Sequence, residues 1–279
     1  MRFLFSICII YNLIVTDTFG QLVYEWESRA ENWEYRVKNI EFFIDRFNNQ
    51  PEGSGSTQAA NPTDTAACLA FMKERDSKMF SLFDRGKLNK KDVALKHRIN
   101  TFFREINSPY QPKFIRFEDN YWYAELTMTA RSGGQANQLR CIMQVVHLGQ
   151  GVAGWAIKSV HSSDLQIGER FRGNELYFPP SVNGTDFMNV RLALNDKTWL
   201  NERTSKLVGK SRWLEMLLEG TLKIGSIDKI TYHFLQLDGW IMKVNYVNRD
   251  SKNSGWLLEE LQQANGQQKV QYLKDLSAD

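Results

Sequence analysis

Thiols, imidazoles and prolines are scarce in this 279-residue chain, which has three Cys, four His and six Pro. The four histidines, His97, His147, His161 and His233, show no zinc-ligand spacing to a cysteine or to one another, and H-E-x-x-H is absent. There is no G-x-S-x-G elbow, so nucleophilic catalysis by serine has no local support. Long hydrophobic runs are lacking after residue 20, and a spanning helix needs about 20 apolar residues. Charge of one sign is also lacking. The net charge is +3, with 35 basic and 32 acidic residues. No cofactor is expected, and a nucleic-acid partner is excluded as a reading, because the basic residues lack a docking motif or an aromatic platform beside them. The densest basic stretch, residues 85–98 with Lys87, Lys90, Lys91 and Lys96, reads as a solvated helix face.

What is present begins at the N-terminus. Arg2 is followed by an apolar run over 3–15, broken only by Ser6 and Asn12, then by polar Thr16-Asp17-Thr18 and by Phe19-Gly20. That order is the pattern of a secretory signal. The small residues Thr18 and Gly20 place the cut before Gln21. The expectation is an exported chain, periplasmic or secreted, with domains at 21–165 and 166–264 and a loose polar tail at 265–279. Two cysteines outlast the cut, Cys68 and Cys141. An oxidising compartment permits a disulfide between them, but parity alone is weak evidence, and two buried free thiols fit the sequence better. Both lie in apolar surroundings, which make a thiol inert. Asn183-Gly184-Thr185 matches the glycosylation sequon.

The hydrophobic period divides the chain. Trp26, Ala30, Trp33, Val37, Ile40, Ile44 and Phe47 alternate steps of four and three, predicting a helix over 24–48. Turn formers fill 49–63. Asp64 can cap a second helix ending near Gly86, and a third is expected over 90–107 with Val93, Ile99, Phe102, Phe103 and Ile106 inward. From 113 the period becomes two. Strands are expected at 114–117, 121–130, 139–148 and 154–162, with Trp122, Ala124, Leu126 and Met128 on one face and Tyr123, Glu125, Thr127 and Thr129 on the other. Helices first and a meander afterwards make the fold class α+β: N-terminal helices packed on a curved antiparallel sheet. A second, smaller unit follows the same order. Its helices are expected at 186–195 and 211–220, its strands at 221–225, 228–237 and 239–248, and a last helix over 254–264.

Two local patterns bear on chemistry. The string 149–154 matches G-x-G-x-x-G, but a strand follows it where a nucleotide site needs a helix N-terminus, so it reads as a hairpin turn. His147-x-x-Gln150 with Gly154-Trp155-x-x-Lys158 resembles His233-x-x-Gln236 with Gly239-Trp240-x-x-Lys243, one residue shorter in the turn. That likeness fits a duplication and fits two convergent hairpins.

The long first helix, two further helices and the closing strand Gly154-Trp155-Ala156-Ile157-Lys158-Ser159-Val160-His161-Ser162 make 24–163 resemble the nuclear-transport-factor-like, or cystatin-like, superfamily. The resemblance implies a sheet curled into a cone with a pocket, on a fold that hosts dehydratases, isomerases and non-enzymatic binding modules. No Asp–His pair of the family's enzymes matches here, so no catalytic role is carried over. Three readings stand. One is a non-catalytic envelope or secreted protein that binds an unknown protein or small ligand, with self-association open. A second is a hydratase- or isomerase-type pocket enzyme whose candidates are His147 and His161, on adjacent predicted strands. A third is a carbohydrate binder, with Tyr121, Tyr123 and Trp155 as ligand-binding candidates and a requirement for coplanar exposed rings.

Overall fold

The alternation read at 122–130 is present in the computed structural model. Strand β2 (Trp122–Ser132) buries Trp122, Ala124, Leu126, Met128 and Ala130 on one face, at 0–2% exposure. The model describes residues 36–51, 65–89, 91–108, 111–149, 152–171, 175–178, 187–204, 211–250 and 253–278. The signal pattern, the Trp26–Trp33 part of the first stripe, most of the loop over 49–63 and the sequon at Asn183 lie outside these residues. The fold class is α+β. Among the described residues no helix is long and apolar enough to cross a membrane.

The chain divides into two units. One comprises Met1–Lys113 with Val247–Leu257, and the other Phe114–Tyr246 with Leu258–Asp279. This division differs from the expected boundary near 165. Strands assigned to separate halves by sequence lie in one unit and pair directly, because β2 bonds along its length to β7 (Leu222–Phe234).

In the first unit, β1 (Arg36–Val37) precedes α1 (Ile40–Phe47), so the single helix expected over 24–48 is corrected at 36–39, and its part over 24–35 lies outside the described residues. Asn39 sets the new boundary. Its side chain accepts from Phe42 N at 2.8 Å and satisfies an orphan amide. Helices α2 (Thr65–Ser81) and α3 (Val93–Ile106) follow. Asp92 caps α3, accepting from Leu95 N at 2.9 Å. Ile99, Phe102, Phe103 and Ile106 are buried as expected, but Val93 is 76% exposed, because the first turn precedes the packed stripe. The rings of Phe83, Phe102 and Phe103 pack at centroid distances of 5.9–6.4 Å.

Arg75, wholly buried, organises this unit. Its Nε donates to Phe47 O at 3.1 Å and its Nη1 to Ile106 O at 3.4 Å, while its Nη2 donates to Lys113 O. Phe47 and Ile106 are the last residues of α1 and α3. One guanidinium therefore sits on the negative ends of two helix dipoles.

The second unit is built on a sheet. β3 (Gln135–Gly149), β4 (Val152–Ser162), β5 (Ile167–Arg170) and β6 (Tyr177–Phe178) join β2 and β7, followed by β8 (Trp240–Val247) and β9 (Ser254–Gln263), whose residues up to Leu257 belong to the first unit. The order is β9-β8-β7-β2-β3-β4-β5, with β6 beside β4. Gly133 and Gly134, at φ 58° and 82°, form the two-residue turn between β2 and β3. No regular strand forms at 114–117. There Gln236 takes a neighbour's place, accepting from Arg116 N at 2.6 Å and donating to Arg116 O at 2.8 Å.

Helices α4 (Met188–Asn195), α5 (Lys197–Thr204) and α6 (Arg212–Glu219) include one, α5, that sequence periodicity did not indicate. Ser211 caps α6 as expected. The apolar sheet face carries an aromatic cluster. Trp122 lies 5.2 Å from Phe234 and 5.0 Å from Trp155, which meets Phe187 at 5.3 Å.

The largest corrections fall at the C-terminus. Residues 254–263 form a strand, where a helix is expected from Leu and Glu content. Gly255, Trp256, Leu257 and Leu258 are all buried, and four consecutive buried positions suit a strand covered on both faces better than a helical stripe. The tail expected to be loose is helix α7 (Gly266–Leu276). Asn265 and Gln268 form a reciprocal capping box at 2.9 and 2.8 Å.

Candidate functional site

Helix α7 packs on the face of the sheet opposite the aromatic cluster. Tyr123, Ile142, Leu235, Ile241, Ala264 and Leu276 form an apolar patch there, and Tyr272 and Leu273 pack against it. The rest of that face is polar by the strand alternation. Glu125 and Arg140 on neighbouring strands, and His233 on β7 opposite Tyr123, all point toward α7.

Four of these side chains form one connected cluster. Arg140 Nε donates to Glu125 Oε1 at 2.5 Å. Glu125 Oε2 lies 3.3 Å from His233 Nε2, a polar contact outside hydrogen-bond geometry. His233 Nδ1 is 2.6 Å from the Tyr272 phenol oxygen. A carboxylate only accepts, so the ring proton belongs on Nε2, facing Glu125. Nδ1 then accepts from the Tyr272 hydroxyl. The chain phenol–imidazole–carboxylate runs from α7 into the sheet, with His233 at 2% exposure.

The electrostatics follow from these contacts. The His233 contact, and then the hydrogen bond and charge of Arg140, outweigh burial and hold the Glu125 carboxyl at about 2. Burial, outweighing the Glu125 contact, pushes the His233 imidazolium below its ordinary range, so the ring is neutral at pH 7. Burial first, and then the charges of Glu260 and Glu125, raises the Tyr272 phenol. A neutral ring between a fixed carboxylate and a neutral phenol can relay a proton, and it can equally fasten two elements.

Further bonds anchor α7. Lys269 Nζ donates to Leu235 O and Leu237 O at 2.7 and 2.6 Å. At the other end Arg140 Nη1 donates to Ala278 O at 2.7 Å, and Arg170 Nε to Ser277 O at 3.0 Å. Cations thus meet the C-terminal end of the helix, where its dipole favours them.

The residues singled out from sequence are not brought together. His147 is exposed and sits opposite Ala153, whereas buried His161 sits opposite Arg140, seven β3 positions away, a separation of roughly 24 Å along the strand. They do not meet across the sheet, and this corrects the expectation that adjacent strands would pair them. Tyr121 is 56% exposed, Tyr123 is buried on the α7 face and Trp155 is buried in the aromatic cluster on the other face. These three rings therefore form no common exposed platform. Cys141 is a free, wholly buried thiol, which burial pushes up to about 12. Its strand places it opposite Leu126 on the apolar face. The bridge to Cys68 is not formed at Cys141, and the side chain of Cys68 is outside the described residues. Among the described residues, no three His, Cys, Asp or Glu side chains group as metal ligands.

Sequence reasoning met parts of this cluster separately. Glu125 falls on the non-apolar face of β2, and His233 stands out as one of four histidines and by its likeness to His147. That likeness fails in space. His147 shares its face with Trp155, whereas His233 and Trp240 lie on opposite faces, since one residue fewer in the turn inverts the side. Tyr272 was hidden in the polar tail. Asn265-x-x-Gln268 was the readable signal that a helix begins there. Comparison with family models, curated proteins and solved structures finds no match.

Proposed function

We propose that this chain is an exported, non-catalytic binding or assembly protein of the cell envelope or extracellular space. The signal pattern of residues 1–20 supports export. One observation carries the non-catalytic part. His233 contacts Glu125 through one ring nitrogen and Tyr272 through the other, and the chain's own helix α7 lies on them. Groups that could work on a substrate are engaged in holding the C-terminus.

A hydratase- or isomerase-type enzyme is the second reading. The Tyr272–His233–Glu125 chain favours it and replaces His147 and His161 as its candidate machinery. The cone-like, nuclear-transport-factor-like arrangement belongs to the proposal too. Three consecutive antiparallel strands after α2 and α3 support it, and the β2–β7 pairing departs from a self-contained unit at 24–163.

Two measurements test this. Mass spectrometry of the mature protein should find an N-terminus at Gln21, and a chain retaining Met1 in its host overturns the export reading. Carbethoxylation of the native protein should modify exposed His97 and His147 and spare His233. Rapid modification of His233 would instead favour the enzyme.

A further inference from the structure

The charge of the chain is unevenly placed. Between residues 85 and 104 seven basic residues stand against one acidic residue, a net +6, while the whole chain carries +3. All other positions together are therefore net −3. The stretch holds the start of α3, whose opposite stripe Ile99, Phe102, Phe103 and Ile106 is buried. Lys87, Lys91, Val93, His97, Arg98 and Arg104 are exposed. Helical spacing of four and seven residues puts Val93, His97 and Arg104 along one side with Arg98 flanking it, and Lys91 just precedes the cap, so the face runs along about 17 Å of helix. Asp84 and Glu105 bound the stretch: Asp84 pairs with Arg249, Asp92 within it accepts from Leu95 N, and Glu105 is half-buried.

We propose that this face binds an anionic lipid surface. Charge alone would suit any polyanion, and two observations narrow the choice. Val93 is 76% exposed among the cations, and an apolar side chain flanked by basic ones gains by entering the boundary between headgroups and acyl chains. The aromatic side chains of the stretch, Phe102 and Phe103, are buried, so no ring is offered for stacking on a nucleobase or a sugar. The Lys and Arg heads remain in the headgroup layer and collect anionic lipids. This surface is independent of the His233 cluster and of the export reading.

The test is co-sedimentation of the full chain with phosphatidylcholine vesicles and with vesicles that also contain phosphatidylglycerol. The apolar residues 3–15 act alike on both, so the difference reports the basic face. Phosphatidylglycerol should strengthen partitioning by about tenfold or more, and added salt should reverse the gain. The triple variant K91E/R98E/R104E should lose the difference, and V93D should weaken binding with every cation retained. Thermal melting checks that these surface changes leave the fold intact. If the triple variant fails to fold, V93D and the salt titration of the unaltered chain decide. Equal partitioning on the two vesicles overturns the proposal. So does an unaltered V93D, or binding to soluble heparin without binding to vesicles.

Discussion

His233 on β7 and Tyr272 on α7 are joined through Nδ1 and the phenol oxygen at 2.6 Å, across 39 residues of sequence. The contact fixes a polar group of the helix onto a polar group of the sheet where both are shielded from water. Tyr272→Phe keeps the ring and removes the donor, leaving Nδ1 buried without it. An unmet buried acceptor costs about 1–3 kcal/mol. Urea unfolding should lose stability in that range. Amide exchange should accelerate over 266–276 before it does in β2 or β7. Exchange in α7 indistinguishable from the unaltered protein would show that Lys269, Arg140 and Arg170 hold the helix by themselves.

The same cluster sets an acid response. Glu125 has a folded value of about 2, below its ordinary 4.5, so its contribution is complete above about 4.5 and is lost as pH falls through the folded value. A shift of this size is worth about 3 kcal/mol as an upper figure. His233 is also lowered, from 6.5, so its neutral burial is fully stabilising above that value and becomes a cost as pH falls below it. Both signs agree. With Asp76→Asn removing the opposite trend of that buried acid, the urea midpoint should decline as pH drops below about 6.5 and fall further below about 4.5. Glu125→Gln should reduce stability at neutral pH and flatten the lower part of the profile.

How far this was legible follows from where local and tertiary preferences agree. In β2, the alternation of Trp122, Ala124, Leu126 and Met128 with Tyr123, Glu125, Thr127 and Thr129 is a local pattern that the sheet rewards, so strand and face were both readable. In 254–263 they conflict. Leu257, Leu258, Glu259, Glu260 and Leu261 favour a helix in isolation, and burial in a sheet overrides that preference. The residues of α7 have the converse character, polar enough to pass for a tail, with the apolar contact confined to Tyr272, Leu273 and Leu276. The cluster was illegible as a unit because Glu125, Arg140, His233 and Tyr272 come from four separate elements. The β2–β3 hairpin brings Arg140 to Glu125, but no spacing encodes the β2–β7 pairing that brings His233 to them.

Gly255 offers a sharp backbone test. It pairs with Val37 in the parallel contact of β1 and β9 and holds φ at 91°. A Cβ there would overlap the Val37 backbone. Gly255→Ala therefore combines a forbidden torsion with a clash that no side-chain rotation relieves. The expected loss is at least about 2 kcal/mol. Calorimetry should show a lower melting temperature, whereas Gly266→Ala, with open space around the added carbon, should be nearly neutral.

Cys141 supplies a probe that needs no mutation. Its thiol is wholly buried and raised to about 12, so it is protonated as well as inaccessible at neutral pH. Iodoacetamide should leave Cys141 unmodified in the native protein and alkylate it in urea. Fast native labelling would mean that β3 opens locally without global unfolding.

Arg75 makes the strongest claim on stability in the first unit. Its guanidinium serves Phe47 O, Ile106 O and Lys113 O, and also Asn107 Oδ1 at 3.2 Å. Arg75→Met preserves length and apolar bulk but strands these acceptors, at a cost of about 3 kcal/mol or more. Arg75→Lys should rescue little, because one ammonium cannot span a fork aimed at separate elements. The neighbouring Asp76 gives a second readout. Burial raises its carboxyl to about 7, against the lowering effects of the Asn107 hydrogen bond and the Arg75 charge. A raised acid stabilises the fold while protonated and loses that contribution as pH climbs through the folded value. Stability should therefore decline as pH rises from about 3.8 to about 7 and level off above that, and Asp76→Asn, which can still accept from Asn107, should remove the decline. In Arg75→Met the decline should extend to higher pH before it levels off, since loss of the nearby cation raises Asp76 further. An unchanged upper limit of the decline would mean that Arg75 acts on the helix ends alone and not on the carboxyl beside it.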